Sequence, residues 1–129
     1  MTTISTSELP EKIKPLIGIV GPCGAGKTTL AEGLQRNGWR ARAIAQEHSN
    51  VKDMWQRMTR PDVLVFLQVS CLVGGERHRM EWTDSEWEEQ QRRLIHARQH
   101  ANFTLDTDTL GIGEVLDLIL TFLKERTRL

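Results

Sequence analysis

The chain has 129 residues, which predicts a single domain with one hydrophobic core. Its 17 Lys and Arg residues balance its 17 Asp and Glu residues, so no net charge favours nucleic acid or an anionic membrane. No apolar run approaches the roughly 18 residues that span a membrane, and no signal-peptide pattern opens the chain. We therefore expect a cytoplasmic protein with neither nucleic-acid nor membrane partners.

The first part of the chain predicts an arm, a strand, a glycine-rich turn and a helix. Residues 1–14 are rich in Thr, Ser, Glu and Lys and are expected to form a flexible N-terminal arm, with the domain over residues 15–129. Residues 16–20 form an apolar run that is typical of a buried parallel strand. Residues 26–36 then predict a helix that ends before Asn37.

The remainder of the chain alternates strands with helices. Strands are predicted over residues 41–46, 63–69 and 103–106, and helices over residues 51–59, 85–100 and 114–126, with a weakly helical segment at 72–80. The run VLVFLQV at residues 63–69 has the length and composition of a strand that is buried on both faces. The order β-α-β-α-β-α-α-β-α predicts an α/β fold, with a parallel sheet of about four strands, right-handed crossovers and helices on both faces.

The helix over residues 85–100 has its own start signal and a predicted buried face. Thr83 or Asp84 is expected to cap its first turn. Its buried stripe is expected to comprise Trp87, Leu94 and Ile95. Glu88 and Arg92 are placed one turn apart, where an ion pair is expected.

One motif carries chemical information, because Gly21, Gly26, Lys27 and Thr28 fill the pattern G-x-x-x-x-G-K-[ST]. A strand precedes the motif and a helix follows it, which is the context of a phosphate-binding loop, or P-loop. Backbone amides of such a loop and the positive end of the helix hold phosphate groups. The residues expected to bind the nucleotide are Gly21, Gly24, Ala25, Gly26, Lys27, Thr28 and Thr29. The alternative is a glycine-rich turn that contains Lys-Thr by chance, and the flanking apolar strand argues against it.

Three side chains of the motif have separate predicted roles. Lys27 is expected to reach the β- and γ-phosphates, and the Thr28 hydroxyl to coordinate Mg²⁺. Thr29 is placed to bond an α-phosphate oxygen. The motif therefore predicts a nucleotide and Mg²⁺ as the bound groups.

Further features follow the motif along the chain. They are a strand that begins with Pro61-Asp62, the pair Glu76-Arg77, and a strand end with the sequence Leu105-Asp106-Thr107. Together with the motif they resemble the small P-loop nucleoside and nucleotide kinases, especially the thymidylate-kinase-like group, over residues 15–125. The resemblance implies a three-layer P-loop NTPase fold with ATP as the phosphoryl donor. It also implies that the loop at residues 107–112 contacts the adenine.

The resemblance implies roles for two side chains outside the motif. Arg77, with Arg79 as a second candidate, falls in a lid over the transferred phosphoryl group; the alternative is a solvated surface with salt bridges to Glu76 and Glu81. Glu47 directly follows the second strand and is the carboxylate expected to hold hydrated Mg²⁺ or accept a proton, with a surface position as the alternative. Asp53 is the second choice, for contacting the substrate. The predicted catalytic residues are Lys27, Glu47 and Arg77.

The chain also departs from that family. Gln68 stands where the family usually has a carboxylate, and the Asp-Arg motif of thymidylate kinases is missing. Only a short segment separates Glu47 from Pro61, which leaves little room for a monophosphate-binding lobe. Either the unknown small-molecule acceptor is small, or a second copy of the chain completes the site in a homodimer, or catalysis is lost. In the last case the protein is a weak NTPase or a module whose nucleotide orders residues 74–83 for a protein partner.

Cysteine and histidine show no sequence pattern of a metal site. Cys23 and Cys71 are too few for a disulfide framework and lack ligands at standard spacing. Cys23 lies in the glycine motif, where the helix N-terminus would lower the pKa of its thiol; alternatively it simply fills the loop. His96 and His100 are one turn apart without a third ligand, so a solvated helix face is expected.

Overall fold

The structure, a computed structural model, describes residues 14–78 and 82–127. The predicted N-terminal arm, except for its last residue, therefore lies outside the described residues. Arg79, the second candidate for the predicted lid, lies outside them as well. Among the described residues, none of the helices combines the length and the apolar character that a membrane crossing requires.

The described chain has the predicted order of elements. The strands are β1 (Leu16–Val20), β2 (Arg40–Ala43), β3 (Val63–Gln68) and β4 (Phe103–Asp106). The helices are α1 (Lys27–Arg36), α2 (Met54–Met58), α3 (Cys71–His78), α4 (Asp84–His100) and α5 (Ile112–Thr127), and a 3₁₀ turn spans Gln46–His48 between β2 and α2. The weakly helical segment is thus a helix, and the predicted alternation of strands and helices is confirmed.

The four strands form one parallel sheet in the order β2-β1-β3-β4. Side chains alternate between its faces, so Val65 packs with Leu34 of α1 and Ile119 of α5, whereas Phe66 packs with Leu94 of α4. Trp55 of α2 lies in the same cluster as Phe66. The chain is therefore an α/β protein with helices on both faces of a parallel sheet, as predicted.

The sheet order creates a crevice between β1 and β3. Helix α1 leads from β1 outwards to β2 over one face, and α2 leads back across the other face to β3. The chain therefore changes direction between β1 and β3, and ligands of open α/β sheets bind outside the carboxyl ends of the strands at such a point. The glycine motif follows β1 at this edge, and Gln68 ends β3 beside it.

Strand β2 is shorter than predicted because Gln46 has other partners. It was expected to end the strand, but β2 ends at Ala43 and Gln46 opens the 3₁₀ turn. The Gln46 side chain is fully buried, and its Oε1 accepts a hydrogen bond from the backbone N–H of Trp55 at 2.8 Å. Its Nε2 donates to the carbonyl groups of Val51 and Arg93 at 2.9 and 3.2 Å. These bonds fix the 3₁₀ turn against α2 and α4.

Helix α4 differs from its prediction in its buried face and its ion pair. The cap at Thr83 is confirmed, because its hydroxyl accepts from Glu86 N at 3.1 Å in a capping box. The buried residues are Gln90, Leu94 and Ala97, and Ile95 is 52% exposed, so its predicted burial is wrong. The predicted pair between Glu88 and Arg92 is wrong too, since Arg92 pairs with Glu89.

Helix α5 begins at Ile112, two residues before its predicted start, so the preceding loop is shorter than expected. Val115, Ile119 and Leu123 are buried, and Leu116 packs against the same cluster. Because α5 starts so soon after β4, the loop between them stays at the carboxyl edge of the sheet.

Candidate functional site

The segment at residues 21–26, which we call the glycine loop, needs glycine at specific positions. Gly21, Gly24 and Gly26 have φ angles of 155°, 85° and 95°, which residues with a side chain rarely adopt. A Cβ on Gly21 would lie 2.2 Å from the carbonyl oxygen of Leu67, and one on Gly24 would lie 2.5 Å from that of Gly74. Gly26 caps α1 without any side-chain hydrogen bond to the first turn, which leaves that helix end open to a ligand.

Lys27 folds back over the glycine loop. Its Nζ donates to the carbonyl oxygens of Gly21 and Pro22 at 2.9 and 3.2 Å and lies 2.6 Å from Glu47 Oε2. These contacts use all three donors of the ammonium group. The ion pair is shielded from water, because the Lys27 and Glu47 side chains are 12% and 4% exposed.

Glu47 is brought to the loop because β1 and β2 are neighbours in the sheet. Its main chain lies in the 3₁₀ turn that Gln46 anchors, and its carbonyl oxygen accepts from Arg93 Nη1 at 3.3 Å. Among the described residues, Glu47 Oε1 is buried without a hydrogen-bond partner. Asp53, the second choice from the sequence, instead pairs with Arg57 at 3.0 Å.

Cys23 lies beside the Lys27–Glu47 ion pair, and the pKa of its thiol is raised, whereas one interpretation of the sequence expected it to be lowered. Its Sγ is 3.7 Å from Glu47 Oε2 and 3.4 Å from His48 Nε2. Burial raises the pKa of the Cys23 thiol, and the negative charge of Glu47 raises it further, with only partial opposition from Lys27. The expected lowering of this pKa by the helix N-terminus is therefore wrong.

Helix α3 packs directly on the glycine loop. A Cβ on Gly74 would lie 2.8 Å from the carbonyl oxygen of Cys23, so the two backbones touch. Arg77 Nη1 donates to Gly24 O at 3.1 Å and to Thr107 Oγ1 at 2.9 Å, and Nη2 donates to Thr107 O. Arg77 therefore lies at the rim of the loop and joins it to the end of β4. Its side chain is exposed, and it forms hydrogen bonds with Gly24 and Thr107 and no ion pair with Glu76, whereas Glu81 lies outside the described residues.

A cavity of about 760 Å³ opens next to the glycine loop. The predicted residues that line it are Gly24, Ala25, Gly26, Lys27, Thr28, Thr29 and Arg77. Its other wall comes from the loop after β4 and the start of α5, including Thr107, Leu110, Gly111, Ile112, Val115 and Leu116. Gly21, at the start of the loop, and Glu47 do not line the cavity, although both contact Lys27.

Three buried polar residues, Gln46, Gln90 and Thr107, hold the site together through hydrogen bonds that the sequence did not predict. Gln90 of α4 accepts a hydrogen bond from Cys23 N at 3.0 Å, and Gln46 anchors the 3₁₀ turn. Thr107 is 1% exposed, and its N–H donates to Gln68 O at 2.8 Å, which joins the ends of β3 and β4. The partners of Gln90 and Thr107 are 67 and 39 positions away, and Gln46 also reaches Arg93, 47 positions away, so no local pattern marks these hydrogen bonds.

Gln68 keeps its side chain near its own backbone. Its Nε2 donates to Val69 O at 3.2 Å, and its Oε1 is buried without a partner among the described residues. The structure therefore has a neutral amide at the carboxyl end of β3, beside the glycine loop.

The two histidines of α4 lie on the far side of the 3₁₀ turn. His96 Nδ1 accepts from Trp55 Nε1 at 3.1 Å, and the rings of His96 and His100 have centroids 4.3 Å apart. Burial lowers the pKa of His96, and the positive charges of His100 and Lys52 lower it further. Both rings contact Trp55, and His100 is exposed whereas His96 is half-buried, so the expected solvated helix face holds for His100 and only in part for His96.

The chain was also compared with known proteins. No model of a protein family matches it, and no curated protein matches it either.

Proposed function

We propose that the protein binds Mg·ATP at the glycine loop and transfers the γ-phosphoryl group to a small-molecule acceptor. The observation that carries this proposal is the placement of Lys27 and the open end of α1 between a buried carboxylate, Glu47, and the cavity. The cavity volume lies within the range of about 300–1,000 Å³ that is usual for small-molecule sites. The small P-loop kinases remain the family that the motif best supports.

The proposed roles follow from these positions. Amides of the glycine loop and of the α1 N-terminus hold the phosphates, and Lys27 exchanges Glu47 for phosphate oxygens. Mg²⁺, held through the Thr28 hydroxyl, would neutralise phosphate charge. Arg77 at the rim of the loop stabilises the transferred group, and Glu47 accepts the proton of the acceptor. The adenine lies against the apolar wall at residues 110–116.

A second function is supported by Gln68. A neutral amide at the end of β3 does not replace the carboxylate of an active kinase, and α3 contacts the glycine loop directly. On this hypothesis ATP binds without efficient transfer, and its phosphates change the position of α3 for a protein partner.

Calorimetric titration with Mg·ATP and Mg·GTP tests nucleotide binding. Lys27→Ala is expected to weaken Mg·ATP binding about tenfold to a hundredfold, since hydrogen bonds to charged groups contribute about 1.5–3 kcal/mol each. Lys52→Ala, at an exposed position outside the site, is the matched control and should bind as the wild type does. Equal affinity in the wild type and Lys27→Ala would contradict both functions.

An acceptor panel then separates the two functions. Nucleosides, monophosphates, sugars and small acids are each incubated with Mg·ATP, and phosphorylated product is measured. A kinase shows at least one acceptor that raises turnover well above the level of Lys27→Ala. Tight binding of Mg·ATP with no such acceptor supports the nucleotide-responsive module instead.

A further inference from the structure

Three side chains with metal-binding atoms meet beneath the glycine loop. Cys23 comes from the loop itself, whereas Glu47 and His48 come from the 3₁₀ turn after β2. Their ligand atoms, Sγ, Oε2 and Nε2, all lie within 4.8 Å of one another. The pairing of β1 with β2 produces this cluster, because parallel strands that are neighbours end at the same edge of the sheet.

The separations between these atoms match those around a tetrahedral ion. The Cys23–His48, Cys23–Glu47 and Glu47–His48 distances are 3.4, 3.7 and 3.8 Å. For Zn²⁺ with bonds of about 2.0–2.3 Å in tetrahedral geometry, two ligand atoms lie about 3.4–3.6 Å apart. The side chains are therefore nearly preorganised, and shifts of a few tenths of an ångström complete the geometry.

We propose that Cys23, Glu47 and His48 form a binding site for a divalent transition metal ion of the Zn²⁺ type. A thiolate, an imidazole and a carboxylate are ligands that Zn²⁺ accepts, whereas Mg²⁺ and Ca²⁺ prefer oxygen ligands throughout. Three protein ligands leave a fourth position for water or another ligand. The thiol of Cys23 releases its proton to the solvent when the ion binds.

The environment of the Glu47 carboxylate provides independent support for a bound cation. Its side chain is 4% exposed, and its Oε1 has no hydrogen-bond partner among the described residues. A buried carboxylate oxygen without a partner is costly, and a bound cation or its water removes that cost. A metal ion can reach the site from the solvent at His48, because the side chain of His48 is 61% exposed.

The metal ion and Lys27 compete for one oxygen atom. Glu47 Oε2 is both the atom that faces Cys23 and His48 and the acceptor 2.6 Å from Lys27 Nζ. A divalent cation at Oε2 repels the ammonium group and displaces it from the carboxylate. Occupancy of this site therefore releases Lys27 from its ion pair.

Titration of the nucleotide-free protein with Co²⁺, followed by absorption spectroscopy, tests the proposal independently of ATP binding. We expect one equivalent to produce a thiolate-to-cobalt charge-transfer band and the intense visible bands of tetrahedral Co²⁺, and Zn²⁺ to displace both. Cys23→Ser should lose the charge-transfer band, and Cys71→Ser, which removes the other cysteine, should retain it. A weak six-coordinate spectrum, or a charge-transfer band that persists in Cys23→Ser, overturns the proposal.

Two more variants complete the test. His48→Ala changes an exposed side chain, so it should fold normally, and we expect it to weaken Co²⁺ and Zn²⁺ binding at least about tenfold. Lys27→Ala removes the competitor for Glu47 and should tighten binding of the metal ion. Unchanged affinity in His48→Ala, compared with His100→Ala as a control, contradicts the assigned ligand set.

Discussion

Lys27 and Glu47 form an ion pair that a phosphate group would have to replace if the protein binds nucleotide as we propose. Every donor of the Lys27 ammonium group already has an acceptor, and one of them is a buried carboxylate. A triphosphate in the cavity therefore competes with Glu47 for Lys27. Since both side chains are shielded from water, removing one of them leaves the charge of the other buried without compensation, which costs more than the loss of a typical surface pair of about 0–1 kcal/mol.

Glu47→Gln should consequently bind ATP more tightly than the wild type when EDTA removes divalent ions. The amide keeps the shape of the side chain but no longer neutralises Lys27, so we expect about a fivefold gain in affinity, equivalent to about 1 kcal/mol. Calorimetry in EDTA measures this gain, with Glu32→Gln on the exposed side of α1 as the control. Weaker ATP binding by Glu47→Gln in EDTA would show that the carboxylate does not compete with phosphate.

The same variant should lose phosphoryl transfer in the presence of Mg²⁺. Removal of a positioned general base lowers turnover by about 10²–10⁴-fold. Transfer is measured with the acceptor that the panel identifies, and undiminished turnover would exclude Glu47 as the base.

At the scale of elements, α3 is the helix whose position depends most directly on the glycine loop. Gly24 and Gly74 allow the two backbones to touch, and Arg77 adds hydrogen bonds to Gly24 and to Thr107. A change in the loop backbone would therefore act on α3 through Gly74 and Arg77. The sequence indicated only weak helix propensity here, because the contact that stabilises α3 is tertiary.

Gly74→Ala tests this contact against a matched glycine elsewhere. The new Cβ would lie 2.8 Å from Cys23 O and 3.2 Å from Val69 Cγ1, so we expect a loss of about 1–3 kcal/mol in the free energy of unfolding. Gly113→Ala in α5 meets no atom within 4 Å and should stabilise the protein by about 0.5–1 kcal/mol. Urea unfolding followed by tryptophan emission measures both changes.

The loss in Gly74→Ala should extend to function. Because the loop must shift to admit the methyl group, Mg·ATP affinity should fall in Gly74→Ala and stay unchanged in Gly113→Ala. Two variants of equal stability and equal affinity would mean that α3 is not coupled to the loop.

At the scale of the whole molecule, local patterns in the sequence predicted the elements and their order. The apolar runs that became β1 and β3 and the motif between β1 and α1 are local signals, as is the capping box at Thr83. The prediction of a parallel sheet with helices on both faces follows from the alternation of strands and helices along the chain. The fold class was therefore predictable, and its identity as a P-loop NTPase remains a proposal.

The interior of the site was less predictable because it depends on distant pairs. Cys23 and His48 are separated by 25 positions and meet only because β2 lies beside β1 in the sheet. Gln46 and Gln90 look like ordinary polar residues, yet burial and hydrogen bonds to other elements give them their roles. Single polar residues of this kind carry no periodic signal, so only the three-dimensional structure reveals them.

The position of the proposed adenine pocket can be tested by hydrogen exchange over the whole chain. The cavity is bounded on one side by residues 24–29 and on the other by residues 107–116, which belong to opposite ends of the sequence. We expect inorganic triphosphate with Mg²⁺ to protect amides of the first segment only, since it has no adenine. Mg·ATP should protect both segments, because the adenine also contacts residues 110–116. Lys27→Ala should reduce both effects at equal ligand concentration. Residues 88–98 line a smaller pocket of about 310 Å³ on the other face of the sheet. Protection of these residues by Mg·ATP would place the adenine there and contradict the proposed site.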